Sequence, residues 1–555
     1  MPVSEPLPHL VDDLLGYLHE THPTHASLDG IHLHDDLLED LSRHGVDAET
    51  RALSGYLRRL DEIDAAGLTE IERLEHRMLT ENLRGRMFEL EEVRTWERNP
   101  QYYADTIASS LAGQALFSHA PVGDRARRIL SKLRQIPRVI HAARDNIKDP
   151  PGIFVKVGIE TMRGALTFID HDLPRALADL DDMHLLGDLA DAQQEASHAV
   201  GSYVEFLESD VAPRARASFR LGRERFERKI RYEEGLNVPV DRLLTIALRE
   251  LAATQEAFRQ AMGTSPGGDV LQRWNKLKGD HPQPGQLVEV AREQLGALKT
   301  FLERQSLVSV PPAEPVLVAP TPEFYRWSFA SMWTPGPFES KPTRAYYYLT
   351  DADPSWPLER QDEHLRDYNM PTLWSISAHE VYPGHFLHFQ HLRRVESKVR
   401  KSIMFAPASC VEGWAHYSEQ MLVEAGFERQ HPGFTLGQLA ESLIRLVRTI
   451  VGIRLHAEDL SVEQGVRMFR EDAYLEEATA RREAERGTFD PTYLVYSIGK
   501  LMFLKLRHDC KQLQGKAFSL RTFHDTVLAQ GTARLWLHRR LLLGADQGAG
   551  ADLLD

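Results

Sequence analysis

Apolar residues recur at three- and four-residue spacing along most of this chain, the period of an α-helix with one buried stripe. The stretch from Leu68 opens with Thr69 and Glu72, the reciprocal pair of a capping box. Its apolar positions continue through Leu74, Met78 and Leu83. The same period predicts helices over about 122–147, 158–178, 186–228, 238–263 and 283–306, with Pro137 and Pro213 kinking two of them. No repeat of fixed period is present, and the leucine stripes read as ordinary core. The pattern then breaks. Eight prolines from Pro311 to Pro342 exclude a continuous helix, and within the break 316–318 and the tyrosine-rich 345–350 read as strands. The expected organisation is a helical N-terminal region at 1–306, a Pro-rich connection with short strands at 307–350, a second helical region at 351–543, and a disordered tail at 544–555. The fold class is mainly α, a large two-lobed helical molecule with a short β element.

Composition narrows the class without changing this picture. A length of 555 residues allows an extensive core. The net charge of −15 is spread over interleaved acids and bases, with no basic stripe carrying aromatics, so nucleic acid is excluded as a partner. The first residues, Met1-Pro2-Val3-Ser4-Glu5, lack the charged and apolar regions of a signal peptide. No apolar run approaches about 18 residues, so no membrane span is expected and a cytoplasmic location follows. Only Cys410 and Cys510 are present, too few for a disulfide framework, and Cys410 reads as a small buried residue.

Chemistry concentrates in the second helical region. Ser377-Ala378-His379-Glu380-Val381-Tyr382-Pro383-Gly384-His385 sets His, Glu and His within seven residues, and Glu412 follows 27 residues after His385. Two imidazoles and a distant glutamate are a common ligand set for one Zn²⁺ that keeps a position open for water. Glu380, beside the first ligand, is placed to take a proton from that water. The six-residue spacing is unusual, because on one unbroken helix it corresponds to about 600° and would put the imidazoles on different faces. Pro383 and Gly384 resolve this by ending one helix after Glu380 and letting another begin at His385. The pairs His385/His388 and His388/His391 share a helix face without any kink and stay open as alternatives.

The run His379-Glu-Val-Tyr-Pro-Gly-His385 resembles the H-E-x-x-P-G-H-x-x-Q signature of the bacterial domain-of-unknown-function 885 family, grouped with gluzincin-like zinc peptidases. Other parts of the chain resemble the family too: His22-Pro-Thr-His-Ala-Ser-Leu-Asp-Gly30 with Asp35-Asp36, Asn369, Glu412-Gly-Trp-Ala415, Arg486 with Pro491, and Tyr496-Ser-Ile-Gly499. Departures occur at His388, His416, Gly452 and Leu460, where the pattern carries Gln, an apolar residue, Asp and Trp. Because the family has Gln at His388, that residue is not counted as an essential ligand. The resemblance implies an oxyanion donor, with Tyr496 the first choice and His456 the second. It also implies an edge strand beside the metal helix that takes up substrate backbone. Strand 345–350, with Tyr347, is the candidate for that place, and Arg486 for pairing with a peptide carboxylate, with Arg482 and Lys500 as weaker choices. Glu419, one heptad after Glu412, reads as a hydrogen-bond partner of a ligand imidazole, with His388 and His416 in the same surrounding layer.

The leading expectation is therefore a zinc-dependent hydrolase acting on a peptide or peptide-like substrate. A zinc amidohydrolase for a non-peptide amide and a silent helical scaffold are the alternatives, and monomer and homodimer stay equally open. A di-iron bundle is also conceivable from Glu195-x-x-His198 and Glu428-x-x-His431, although the second lies in a loop-like stretch before Pro432.

Overall fold

A computed structural model describes residues 5–263, 269–312, 316–322, 329–341, 344–544 and 553–554. The fold is mainly α, with one three-stranded sheet. Most of the tail expected to be disordered, 545–552 and 555, lies outside the described residues. Two compact units divide the chain: 1–219 with 335–344 and 397–405, and 220–334 with 345–396 and 406–555. The division near residue 219 corrects the boundary expected at 306, because 220–306 folds with the second unit.

In the first unit, α1 (Glu70–Phe88) starts with the reciprocal cap: Thr69 Oγ1 accepts from the Glu72 N–H, and the Glu72 carboxylate accepts from the Thr69 N–H at 2.8 Å. Its Met78 and Leu83 are fully buried. Helix α2 (Val122–Asn146) continues past Pro137. Helix α3 (Met183–Phe206) is shorter than its apolar period suggests. A wide turn at Leu207–Val211 and a tight one at Ala212–Arg214, around Pro213, separate it from the next helix at Arg223–Glu234. The stretch expected at 158–178 breaks similarly, with a helix at Gly152–Thr167 and a wide turn at Phe168–Asp172. Buried Asp29 ties the two returning segments to the start of the chain. Its carboxylate accepts from Ser402 Oγ at 2.5 Å and the Ile403 N–H at 3.0 Å, and its carbonyl accepts from the Phe338 N–H at 2.9 Å.

The second unit is built around a helix that is largely buried along its length. Helices α4 (Val240–Ala261) and α5 (Leu287–Gln305) precede the sheet β1 (Leu317–Pro320), β2 (Ala330–Trp333) and β3 (Tyr346–Leu349). Then come α6 (Met370–Glu380), α7 (His385–Leu392), α8 (Ala408–Glu424), α9 (Phe434–Ala457), α10 (Glu477–Phe489) and α11 (Val495–Gln514). In α9, Leu443, Leu446, Val447, Ile450, Val451 and Ile453 are all buried, as a helix enclosed by others requires. Helices α4 and α6 pack on it, α5 packs on α6, and α8 lies along α11.

The strand order is β1-β3-β2, with β1 parallel and β2 antiparallel to β3. The tyrosine-rich strand is thus central, which corrects the expectation of an edge strand open to substrate. Both its edges are occupied, and Tyr347 is fully buried with its hydroxyl 3.3 Å from Ser377 Oγ of α6. Among the described residues no helix is long and apolar enough to cross a membrane.

Candidate metal centre

Asn369 starts α6 by accepting from the Thr372 N–H at 3.1 Å, and Pro371 occupies the first turn, where no backbone donor is needed. The helix ends at Glu380, so His379 and Glu380 stand in its last turn. The turn that follows has a cis Tyr382–Pro383 bond, and the Gly384 N–H donates to the Ala378 carbonyl at 3.0 Å. Gly384 has φ −74°, which any residue can adopt. Space is what requires glycine here, since a Cβ would lie 1.7 Å from the His379 carbonyl oxygen. Trp414 Nε1 donates to the Pro383 carbonyl at 2.9 Å, so α8 holds the turn from outside.

This turn brings His379 and His385 together with their rings nearly perpendicular, 86° apart at a centroid distance of 4.7 Å. The Nε2 atoms of both lie 3.3 Å from Glu412 Oε2, which α8 supplies. That oxygen is buried and has no hydrogen-bond partner. A tetrahedral site with bonds of about 2.0 Å has ligand–ligand edges of about 3.3 Å, which both imidazole-to-carboxylate distances match, and the donor set of two imidazoles and a carboxylate suits a zinc ion. Burial would raise the Glu412 pKa, but the two imidazoles outweigh it and hold the carboxyl well below the usual range. Burial and Arg445 press His379 down, yet the nearby carboxylates of Glu412 and Glu419 prevail, and its pKa rises to about 9.

A second layer orients the first imidazole. His379 Nδ1 lies 2.7 Å from Glu419 Oε1, which fixes Nδ1–H as the donor and leaves the Nε2 lone pair for a metal. Glu419 is fully buried and also accepts from Ser375 Oγ at 2.9 Å and Arg445 Nη1 at 3.2 Å. His416 belongs to this layer and not to the ligand set, with Nδ1 3.4 Å from Glu419 and Nε2 3.4 Å from Ser442 Oγ. His388 is buried and pushed down to about 3 by desolvation, hence neutral, and falls outside the ligand cluster. Glu380 is half-buried, and no hydrogen bond among the described residues occupies its carboxylate. Its freedom suits it to accept from water.

Tyr496, on α11, lies over the same place, with its ring 6.3 Å from that of His379. Burial and then the Glu412 charge raise its pKa, against the lowering effect of nearby Arg486 and Arg448, so the phenol keeps its proton. Arg486 also binds Asp490 through Nε at 3.0 Å and Nη2 at 2.8 Å. His456 is a correction. Its Nε2 donates to the Gly487 carbonyl at 2.8 Å and its Nδ1 accepts from the Leu221 N–H at 3.3 Å, so neither nitrogen is left for an oxyanion. The di-iron alternative also loses its footing. Glu428 accepts from the N–H groups of Gly433 and Thr435 at the start of α9, while Glu195 and His198 are exposed on α3. Cys410 is buried, and burial pushes its thiol up to about 12, an inert side chain.

Sequence reasoning passed over Arg445 and Ser375, and took Trp414 only as part of the Glu412-Gly-Trp-Ala415 likeness. Arg445 carried the clearest signal, a lone charge inside the apolar run Leu443-Ile444-Arg445-Leu446-Val447. A second cluster, His32, Asp35 and His119 of the first unit, has ligand-type atoms within 4.8 Å of one another. Its imidazoles stack in parallel at 4.0 Å and 2°, so their in-plane lone pairs cannot converge on one ion. Arg128 Nη1 already sits 2.8 Å from Asp35 Oδ2 and 2.9 Å from His119 Nε2. Those side chains form a proton-linked network, not a metal cradle.

The profile of the family described as bacterial protein of unknown function (DUF885) matches residues 23–538. The chain belongs to the DUF885 family. No curated protein matches it. Two solved structures are similar along nearly the whole of this DUF885 chain. One, from Shewanella oneidensis and provisionally described as a lipoprotein of unknown function, is 25% identical with TM-score 0.80, covering 97% of this chain and 100% of that one. The other, a crystal structure provisionally described as a lipoprotein from Colwellia psychrerythraea, is 18% identical with TM-score 0.79, covering 97% and 98%. The departure from the DUF885 pattern at Gly452 has a packing reason: a Cβ there would lie 2.9 Å from the Tyr493 ring.

Proposed function

We propose that this DUF885 protein is a zinc-dependent hydrolase that cleaves amide bonds of peptides, with His379, His385 and Glu412 holding one Zn²⁺. The observation that carries the reading is the partnerless Glu412 Oε2 placed 3.3 Å from two perpendicular imidazole nitrogens. Zn²⁺ in such a site supplies a Lewis acid that acidifies water and polarises a carbonyl. Glu380 accepts a proton from the attacking water and returns it to the leaving amine. Tyr496 donates its phenolic hydrogen to the oxyanion that develops, and Glu419 keeps the His379 ring turned toward the ion.

The alternative of a non-peptide amide drew on the departures at His388, His416 and Gly452. Two of these have roles away from a substrate, because His416 meets Glu419 and Gly452 makes room for Tyr493. Peptide substrates therefore remain the preferred reading. Metal analysis of the purified protein tests it, with about one zinc per chain expected. His379→Ala, His385→Ala and Glu412→Ala should each lose most of that metal. Glu380→Gln should keep metal and fold but lose peptide hydrolysis, and retained turnover would sink the general-base role.

A further inference from the structure

We propose that Arg445 is a positioning residue for the metal site, locking Glu419 so that His379 presents Nε2 to the ion. The inference rests on the zinc reading above and extends it to a residue outside the ligand motif. Arg445 stands in the middle of α9 and is only 6% exposed. A guanidinium so deep is costly unless its charge and N–H groups are matched. Its charge and its two terminal nitrogens are matched, chiefly by the very carboxylate that orients a ligand, while Nε has no hydrogen-bond partner among the described residues. Nη1 lies 3.2 Å from both Glu419 oxygens, and Nη2 lies 3.4 Å from Glu441 on the preceding turn of the same helix.

The geometry has a directional consequence. Without Arg445 the carboxylate would keep His379 and the longer His416 contact on Oε1 and Ser375 on Oε2, and could rotate about its last side-chain bond more freely. Arg445, anchored by Glu441 and reaching both oxygens, opposes that rotation and keeps Oε1 facing His379 Nδ1 at 2.7 Å. The guanidinium also approaches His379 Nδ1 to 3.3 Å through Nη2 and His416 Nδ1 to 3.3 Å through Nη1. Nδ1 of His379 cannot accept from Arg445 while donating to Glu419, and the shorter contact decides for Glu419. Any swing of the ring toward Arg445 would set N–H against N–H. Attraction on one side and repulsion on the other confine the imidazole to one orientation.

If Arg445 served packing alone, its loss would lower stability and leave metal affinity unchanged. The test is the zinc dissociation constant of the full-length protein, measured by competition with a chromophoric chelator, for wild type, Arg445→Lys and Arg445→Met. Circular dichroism and melting of each metal-free protein monitor the fold. Arg445→Met should bind zinc about 10–100-fold more weakly, the scale for losing a group that orients a ligand. Arg445→Lys keeps the charge without the planar fork and should fall between. The visible bands of the cobalt(II)-substituted protein should shift in Arg445→Met, reporting a changed ligand field. Equal affinity in wild type and Arg445→Met overturns the proposal. Should Arg445→Met fail to fold, Arg445→Lys decides alone, and an affinity within about twofold of wild type overturns it. A wild type that takes up no zinc overturns the zinc reading and this one together, whereas zinc-binding wild type with equal variants overturns only the role of Arg445.

Discussion

Tyr496 and His456 are both polar, both on helices of the second unit, and differ in what their polar atoms already do. His456 donates through one nitrogen and accepts through the other, and burial lowers its pKa to about 4, so it is a neutral clip between α9, Gly487 and Leu221. Tyr496 is raised above its ordinary value and faces the Glu412 charge, so it remains a donor near the ligands. Tyr496→Phe should lower kcat on a peptide by about 10²-fold with little change in KM. His456→Gln should leave kcat nearly unchanged while costing about 1–3 kcal/mol of stability, read by denaturant melts. The reverse pattern would transfer the donor role. His379 supports a pH prediction for the metal-free protein. Its folded pKa of about 9 lies above the ordinary 6.5. The stabilisation this represents is complete below about pH 6.5 and is lost as pH rises through about 9. Melting of the metal-free protein should therefore fall across that window. His379→Gln should flatten that fall, and an equally steep fall in the variant would count against the assignment.

At the scale of elements, the turn between α6 and α7 is where local sequence was most informative. Pro383 and Gly384 at six-residue His spacing point to two short helices, and α6 ends at Glu380 with α7 starting at His385. The role of Gly384 was not legible, because backbone crowding is a three-dimensional fact. Gly384→Ala places a methyl 1.7 Å from the His379 carbonyl, so the turn must open. Zinc content should drop sharply and stability fall by at least about 3 kcal/mol, the upper range for overpacking. A variant that retains full zinc would show that the turn can yield. The capping box of α1 was readable because both partners are three residues apart. The sheet order was not, since a tyrosine-rich strand has the same composition at an edge as in the middle. Strand β2 went unrecognised for a related reason: Ala330-Ser331-Met332-Trp333 lacks alternation and β-branched residues. Helix α3 was overextended because the apolar period continues through a wide turn that changes hydrogen bonding without changing which residues face inward.

For the whole molecule, composition located the change at the Pro-rich stretch, yet the compact units divide near residue 219, with 335–344 and 397–405 returning to the first. Hydrophobic period reports that a helix has a buried face and is silent about which helices cover it. Asp29 illustrates the limit. In the sequence it is only part of the stretch His22–Gly30 that resembles the family, and only the fold reveals it accepting from Ser402 and Ile403, more than 370 residues away. Arg445 is similar, since its partner Glu419 lies on another helix. The clustering of His379, His385 and Glu412 was the exception, being concentrated in a short motif and one further glutamate.

Gly413 and Gly499 give α8 and α11 their closest approach: a Cβ on Gly413 would lie 2.5 Å from Gly499 Cα, and one on Gly499 2.2 Å from the Ser409 carbonyl oxygen. Helices separated by side chains can slide past each other by rotamer changes. Two backbones in contact have no such compliance. Glu412 and Tyr496, one and three residues from these glycines, are therefore carried as a single rigid body, and any breathing that admits a substrate must hinge elsewhere. A thermodynamic cycle reads this directly. Gly413→Ala and Gly499→Ala should each destabilise the fold, and the double variant should cost less than their sum, by at least about 0.5 kcal/mol. Once one methyl has wedged the helices apart, the second finds room already made. Additive costs would mean that the two helices yield independently, and that the spacing between ligand and hydroxyl is free to change.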